Sequence, residues 1–290
     1  MPLFAITGIT GHVGRVAARC LWAGGAGVRA VVRDEAKAAP WRRLGAEFAV
    51  ANLDDIEALK RAFDGVDGVY VMTPTWFESA DMFAENIRAV AALSRAIRAA
   101  CPARVVLLSS VGAQHPTGTG TILKLHHMEQ TFADLPGVVA IRAGWFMENY
   151  AGLIPHVRAT GVLPSMLAPL DRVHPMVATQ DIGKLVANIL LDKTNNRAVI
   201  ELEGPQRYAP RDAADALAKV LGQPVVAKVL PPSEWLDTFA QWGLPPRSAE
   251  AMSEMLASFN SGHIAFDRGQ HARIQGQTAL QTVLAGLATR

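Results

Sequence analysis

The sequence predicts an α/β fold, a doubly wound parallel sheet with a smaller, mostly helical part at its C-terminal side. Three observations carry this. Short runs of Val, Ile and Leu alternate with helix-period stretches through the first half of the chain. These runs are apolar throughout rather than alternately polar, the pattern of parallel strands covered by helices on both faces. The first run, Leu3–Thr7, leads directly into glycines at positions 8, 11 and 14, just where a helical period begins. Right-handed crossovers between such units give a doubly wound sheet.

Strand-like runs fall at 3–7, 28–33, 47–50, 68–73, 104–109 and 138–142, with helix-like stretches near 12–24, 54–64, 78–101 and 121–134. The second half is less regular. Prolines at 155, 164, 169 and 175 break any long helix in 151–177. A helix is expected at 179–192 and a strand at 198–202, then a turn and several further helices. The expected organisation is a nucleotide-binding domain over 1–150, to which 179–203 returns, and a smaller substrate-binding part made of 151–178 and 204–290.

The chain has 290 residues, half of them hydrophobic, enough for one large domain or somewhat more. Its formal net charge is +2, from 28 basic and 26 acidic residues without any block of one sign. Nucleic acid and anionic membranes are therefore not expected as partners. Two cysteines, Cys20 and Cys101, make no disulfide framework. Neither a leader-like start nor an apolar stretch of about 18 residues is present, so a soluble cytoplasmic protein, monomeric or homodimeric, is expected.

In a strand-turn-helix unit the first glycine permits a tight turn, the middle one lets backbone approach a ligand, and the third lets the helix pack close to the strand. Gly8 and Gly11 are assigned to the turn and Gly14 to the packing contact. The new helix presents unpaired N–H groups and a partial positive charge, a site for a pyrophosphate. Placed after the first strand of a βαβ series, this points to a dinucleotide and a Rossmann fold. Gly8, Thr10, Gly11, His12, Val13 and Gly14 are its candidate binding residues.

The second strand ends at Arg33, 19 residues past Gly14. An NAD(H) site usually has an acid there for the ribose hydroxyls. Arginine instead suits a 2′-phosphate, and Lys37 could add a second cation. NADP(H) is therefore expected in preference to NAD(H). Asp34 is the complication, because its charge would repel the phosphate if it pointed inward.

Several segments together resemble the NmrA-like group of atypical short-chain dehydrogenase/reductases: "TGITGHVG" at 7–14, "VVRDEAK" at 31–37, "ANLDD" at 51–55, "VYVMTP" at 69–74, "LLSSVGA" at 107–113, "IRAGWFMENY" at 141–150 and "ELEGPQRYAPRDAADALAKVLGQPV" at 201–225. They run in family order over about four fifths of the chain. The resemblance implies that Asn52 and Leu53 lie beside the adenine, Thr73 and Pro74 along the middle of the cofactor, and Ser109 near the nicotinamide ribose. The family includes reductases of quinones, azo compounds and other conjugated aromatics. It also includes proteins that bind NADP(H) only as a signal.

The familiar short-chain dehydrogenase carries Tyr four residues before Lys on one helix, the Lys lowering the pKa of the Tyr acid. Here the corresponding lysine is Lys124, and four residues before it stands Gly120; no tyrosine occurs between 71 and 149. What remains nearby is Lys124, His126, His127 and Glu129. The two histidines point about 100° apart on a helix, and His127 shares the face of Lys124 better. The expected proton donor is His127, then His126, with Lys124 orienting cofactor or substrate. A second expectation for both histidines is a surface position or a bond to backbone.

No HExxH pattern or clustered cysteine pair indicates a metal. No GxSxG elbow appears, and Ser110 has no evident base. Trp76 and Phe77 follow the fourth strand and Trp145 the sixth, at the carboxyl edge where doubly wound folds bind ligands. These flat apolar walls suit a small aromatic substrate. Phe146, Met147 and Tyr150 are expected to pack in the core. The expected function is an NADPH-dependent reductase of a quinone-like or other conjugated aromatic acceptor. The alternative is a redox-sensing NADP(H)-binding regulator without turnover, and a more distant one is an isomerase or epimerase.

Overall fold

Eight parallel strands form one sheet in the computed structural model of the chain, which describes residues 1–192, 194, 197–267 and 269–289. The six apolar runs of the first half become β1 (Leu3–Thr7), β2 (Gly27–Val32), β3 (Glu47–Val50), β4 (Gly68–Val71), β5 (Arg104–Ser110) and β6 (Val138–Ala143). The shorter β7 (Trp145–Phe146), β8 (Val162–Ser165) and β9 (Met176–Val177) follow, then β10 (Val199–Glu203), β11 (Val226–Val229) and β12 (Ala272–Gln275). The main sheet runs β12-β10-β6-β5-β4-β1-β2-β3. The chain moves outward from β1 to β3 and then crosses back past β1 to β4. Strand order therefore reverses between β1 and β4, which opens a crevice at their carboxyl ends.

Alternation within each strand feeds two separate cores. Phe4, Ile6, Val28, Ala30, Val32, Tyr70 and Val106 face one side, together with α1 (His12–Ala23). Ala5, Val31, Val69, Val71, Val105 and Leu107 face the other. There they meet α3 (Ile56–Phe63), α4 (Met82–Ala100) and α5 (Leu123–Phe132), the short α2 (Ala39–Arg42) lying between β2 and β3. Asp55 and Asp81 start α3 and α4 as N-caps, accepting from the amides of Ala58 and of Phe83 and Ala84. After α6 (Ile154–Thr160), α7 (Thr179–Leu191) joins α1 on the first face. The two helices pack closely: a Cβ on Gly183 would lie 2.6 Å from the Val16 Cβ.

The remaining helices, α8 (Pro210–Leu221), α9 (Trp235–Gln241), α10 (Pro246–Ser261) and α11 (Leu280–Ala288), build a third core. Leu217, Trp235, Phe239, Phe259 and Leu284 are its buried centre. Helix α10 sits on the approach to α5. Gly120 has φ +53°, and a Cβ there would lie 1.9 Å from the Ala251 carbonyl oxygen, so only glycine fits.

One expectation is corrected. The expected place of 204–290 in the smaller part does not hold for β12, which pairs with β10 and forms the edge of the main sheet. Its sequence, ARIQ, is not an apolar run, and its residues are only half-buried or exposed. An edge strand needs one covered face, so it lacks the signal of its inner neighbours. Arg273 fastens it instead, donating to the buried Glu201 at 2.9 Å.

Candidate functional site

Gly8, Gly11 and Gly14 divide the labour that their spacing suggests. Gly8 has φ +61°, and a Cβ there would meet the Met72 sulfur at 2.6 Å. The Gly11 amide donates to the Gly8 carbonyl at 2.9 Å and closes the turn. Gly14 presses α1 onto this turn, because a Cβ would lie 2.4 Å from the Gly8 oxygen. Helix α1 has no side-chain cap and no acid in its first turn. Its first amides are thus offered to an anion rather than to a side chain. Arg15 folds back over the turn, its Nε donating to the Gly11 carbonyl at 3.1 Å.

Gly8, Thr10, Gly11, Arg33, Lys37, Leu53 and Pro74 line one cavity at the carboxyl edge of β1, β2 and β4. Thr7, Val31, Val32, Ala51 and Met72 complete its wall, and the sequence reading did not single these out. They are the last residues of β1 and β2 and the first after β3 and β4, so the reversal of strand order was the signal that locates them. Among the described residues, no acidic one lines the cavity. The Asp34 carboxylate accepts from the Ala36 amide at 2.9 Å and caps the turn after β2. Glu35 is held by Arg42 at 2.5 Å. Arg33 and Lys37 make no side-chain hydrogen bond or ion pair among the described residues. The cavity therefore combines uncapped helix amides with two uncommitted cations, which fits a dinucleotide carrying an extra phosphate.

Other expected cofactor residues stand outside this cavity. Val13 is buried and Gly14 is covered by the turn, whereas Asn52 is exposed. His12 opens α1, with its Nδ1 3.1 Å from Arg15. Thr73 accepts from the Asn86 amide group at 3.1 Å. Ser109 is buried, and its hydroxyl donates to Glu129 at 2.5 Å. Glu129 in turn receives Arg142, whose terminal nitrogen is 2.7 Å away. Asp267 holds the same guanidinium at 2.9 Å. This buried network, which ties β5, α5 and β6 to the loop before β12, leaves the serine hydroxyl committed.

Lys124 is 4% exposed. Its Nζ donates to the Thr75 carbonyl at 2.8 Å, one residue past the cavity-lining Pro74. Burial brings its pKa down to about 8. His126 is turned to backbone, its Nδ1 2.8 Å from the Ala113 carbonyl, so that nitrogen carries the proton. His127 is half-buried, and burial followed by the neighbouring His126 lowers its pKa. An imidazole so shifted is mostly neutral near pH 7, which weakens the expectation that His127 leads as acid. Lys124 keeps its proton there and lies deeper. Trp76, next to the carbonyl that Lys124 holds, has φ +49°, a conformation costing a bulky residue about 1–3 kcal/mol. Trp76, Phe77 and Trp145 are all half-buried at the carboxyl edge. Trp145 meets Phe259 edge-on with ring centroids 5.3 Å apart. Met147 and Tyr150 are buried in the third core, and Phe146 packs on the first.

Among the described residues, no helix is long and apolar enough to cross a membrane, and no cluster of three or more His, Cys, Asp or Glu could hold a metal.

A sequence model of the NmrA-like family matches residues 3–272. The chain belongs to this family. It is 25% identical over 258 residues to the NAD(P)H azoreductase of Xenophilus azovorans, covering 88% of this chain and 86% of that protein. It is also 25% identical over 266 residues to quinone oxidoreductase 2 of Escherichia coli, covering 90% and 87%. Among solved structures, the E. coli NADPH-dependent quinone oxidoreductase in complex with NADPH has a TM-score of 0.82 at 22% identity, covering 98% of this chain and 99% of that one. The triphenylmethane reductase of Citrobacter sp. has a TM-score of 0.81 at 17% identity, covering 99% of both chains. These two likenesses establish the common fold.

Proposed function

We propose that the protein is an NAD(P)H-dependent oxidoreductase that uses NADPH to reduce a quinone-like or other conjugated aromatic acceptor. The carrying observation is the cavity itself: a glycine turn, an uncapped helix start and two free cations, without a carboxylate. The azoreductase and quinone oxidoreductase relatives support the general activity. When bound, the reduced nicotinamide supplies a hydride.

The residues of the chain do the rest. The Gly8–Gly14 turn and the start of α1 hold the pyrophosphate, while Arg33 and Lys37 take the 2′-phosphate. Lys124 bears a proton in a place that water scarcely reaches, and an acceptor oxygen that gains charge would draw on it. His127 stands by as a weaker donor, and His126 is bound to backbone. Trp76, Phe77 and Trp145 offer apolar faces to a flat acceptor. The Tyr acid of the familiar short-chain dehydrogenases is missing, which suits an electron-poor acceptor that needs little acid help.

The test is NADPH consumption followed at its near-ultraviolet absorbance against a panel of quinones and azo dyes. Turnover of any one supports the reading. Tight NADPH binding without turnover of any would favour a regulator instead.

A further inference from the structure

A second cavity, of about 170 Å³, lies in the C-terminal part, with Arg172, His174, Arg207, Phe259, Ile264 and Phe266 among its walls. The described walls include two arginines and no acid. Arg172 donates only to the Asn260 carbonyl, with no carboxylate partner among the described residues. Arg207 is held by the buried Glu203 at 2.8 Å. His174 is 3% exposed, and its Nε2 has no hydrogen-bond partner among the described residues. Buried polar groups are nearly always paired, so this nitrogen is an exception that calls for a ligand or water. Burial, with Arg172 adding to it, brings the imidazole pKa down to about 4, which leaves the ring neutral near pH 7.

Phe259 and Phe266 give the wall two aromatic faces. Phe259 lies edge-on to His174 at 6.1 Å and edge-on to Trp145 at 5.3 Å. His174 exchanges backbone hydrogen bonds with Tyr208 and stands two residues before β9, which pairs with β7 at Trp145. One ring therefore separates the cationic cavity from the aromatic wall placed beside the acceptor.

We propose that this cavity is a recognition subsite for an aromatic ring bearing a carboxylate or sulfonate, with the anion on Arg172 and Arg207 and the ring against Phe259 and Phe266. Guanidinium groups match the planar or tripod oxygens of such anions through paired N–H donors. A free inorganic anion would leave the Phe and Ile walls without a partner. The proposal rests on the reductase reading, since the aromatic anion would be the far end of the acceptor.

Two measurements separate the two readings. In the first, naphthalenesulfonate and its neutral sulfonamide are titrated calorimetrically into the protein saturated with NADP⁺. The sulfonate is expected to bind at least about tenfold more tightly, and Arg172→Met to remove most of that preference. Arg207→Met and a rise in salt concentration should act in the same direction. In the second, kcat/KM is compared for naphthoquinone and naphthoquinone sulfonate. The ratio in favour of the sulfonate should fall about tenfold in Arg172→Met. A charge preference in binding without turnover of either quinone or of any member of the quinone and azo-dye panel supports the subsite and overturns the reductase reading. Turnover with no charge preference in either measurement overturns the subsite and leaves the reductase reading standing.

Discussion

Replacing Arg33 by alanine should turn a preference for NADPH into near indifference between NADPH and NADH. Arg33 lines the cavity, is exposed, and makes no side-chain hydrogen bond or ion pair among the described residues. The loss is thus confined to the ligand. A charge-assisted hydrogen bond contributes about 1.5–3 kcal/mol. Exposure to solvent places Arg33 toward the lower figure, equivalent to about tenfold in affinity. Lys37 lines the same cavity and will retain part of the attraction, so the double variant Arg33→Ala/Lys37→Ala should lose more than either single one. The two cations share one phosphate, and their losses need not add. Salt offers an internal control, because exposed charges are screened over about 10 Å at 0.1 M. Raising it should weaken NADPH binding in the wild type and much less in the double variant. Calorimetric titration with both nucleotides, at fixed salt, reads all of this. Equal losses for NADPH and NADH, or no loss for either, would refute the assignment of Arg33 to the 2′-phosphate.

Other outcomes follow from the same geometry. Gly11→Asp puts a carboxylate at the start of α1 and should abolish dinucleotide binding while circular dichroism stays native; unchanged affinity would remove the pyrophosphate from this turn. Gly14→Ala should shift α1 from the Gly8 turn, where its Cβ has only 2.4 Å to the carbonyl oxygen, and overpacking of this kind costs about 1–3 kcal/mol, which denaturant unfolding can measure. Lys124 loses its proton near pH 8 in the folded chain and near pH 10.5 when unfolded. Between these values the unfolded state binds more protons, so its contribution makes stability rise with pH, whereas proton donation to a poor acceptor should fall as pH passes about 8. Lys124→Met should flatten both trends, and a variant with unaltered profiles would clear Lys124 of either role. Glu129→Ala strands the buried Arg142 with Asp267 alone and should destabilise the fold by about 3–5 kcal/mol; a loss under about 1 kcal/mol would mean that Asp267 suffices.

The inner strands of the main sheet were legible because burial on both faces leaves an apolar run, whereas the edge strand β12 carries none. The glycine turn was legible because each glycine answers a separate steric demand, at Gly8 a positive φ and at Gly14 a contact between backbones. The walls Val31, Val32, Ala51 and Met72 were hidden because, as residues, they look like any strand end. Asp34 could not be oriented from sequence, since its carboxylate could equally face the cavity or cap the next turn. On α5 the sequence supplied candidates but not their surroundings. The choice among Lys124, His126 and His127 depends on the Thr75 and Ala113 carbonyls, which come from distant loops. The cavity at His174 escaped for a similar reason: its walls come from three separated stretches, 172–175, 207 and 259–266.

The fit between Gly120 and Ala251 bears on how such a protein can be re-engineered. Helix α10 rests on that bare backbone as on a mould, and Ser258 adds a hydrogen bond to the Gly118 carbonyl next to it. Met255, on the same helix, takes the Thr121 hydroxyl. The unit that bears Lys124 is thus discontinuous in sequence, assembled from residues near 118–124 and from the helix at 246–261. A chimera that imports α10 from a relative must import the glycine loop as well. Cut at the border of the sheet, the graft would meet a loop shaped for another helix, and the ammonium four residues downstream would be displaced with it.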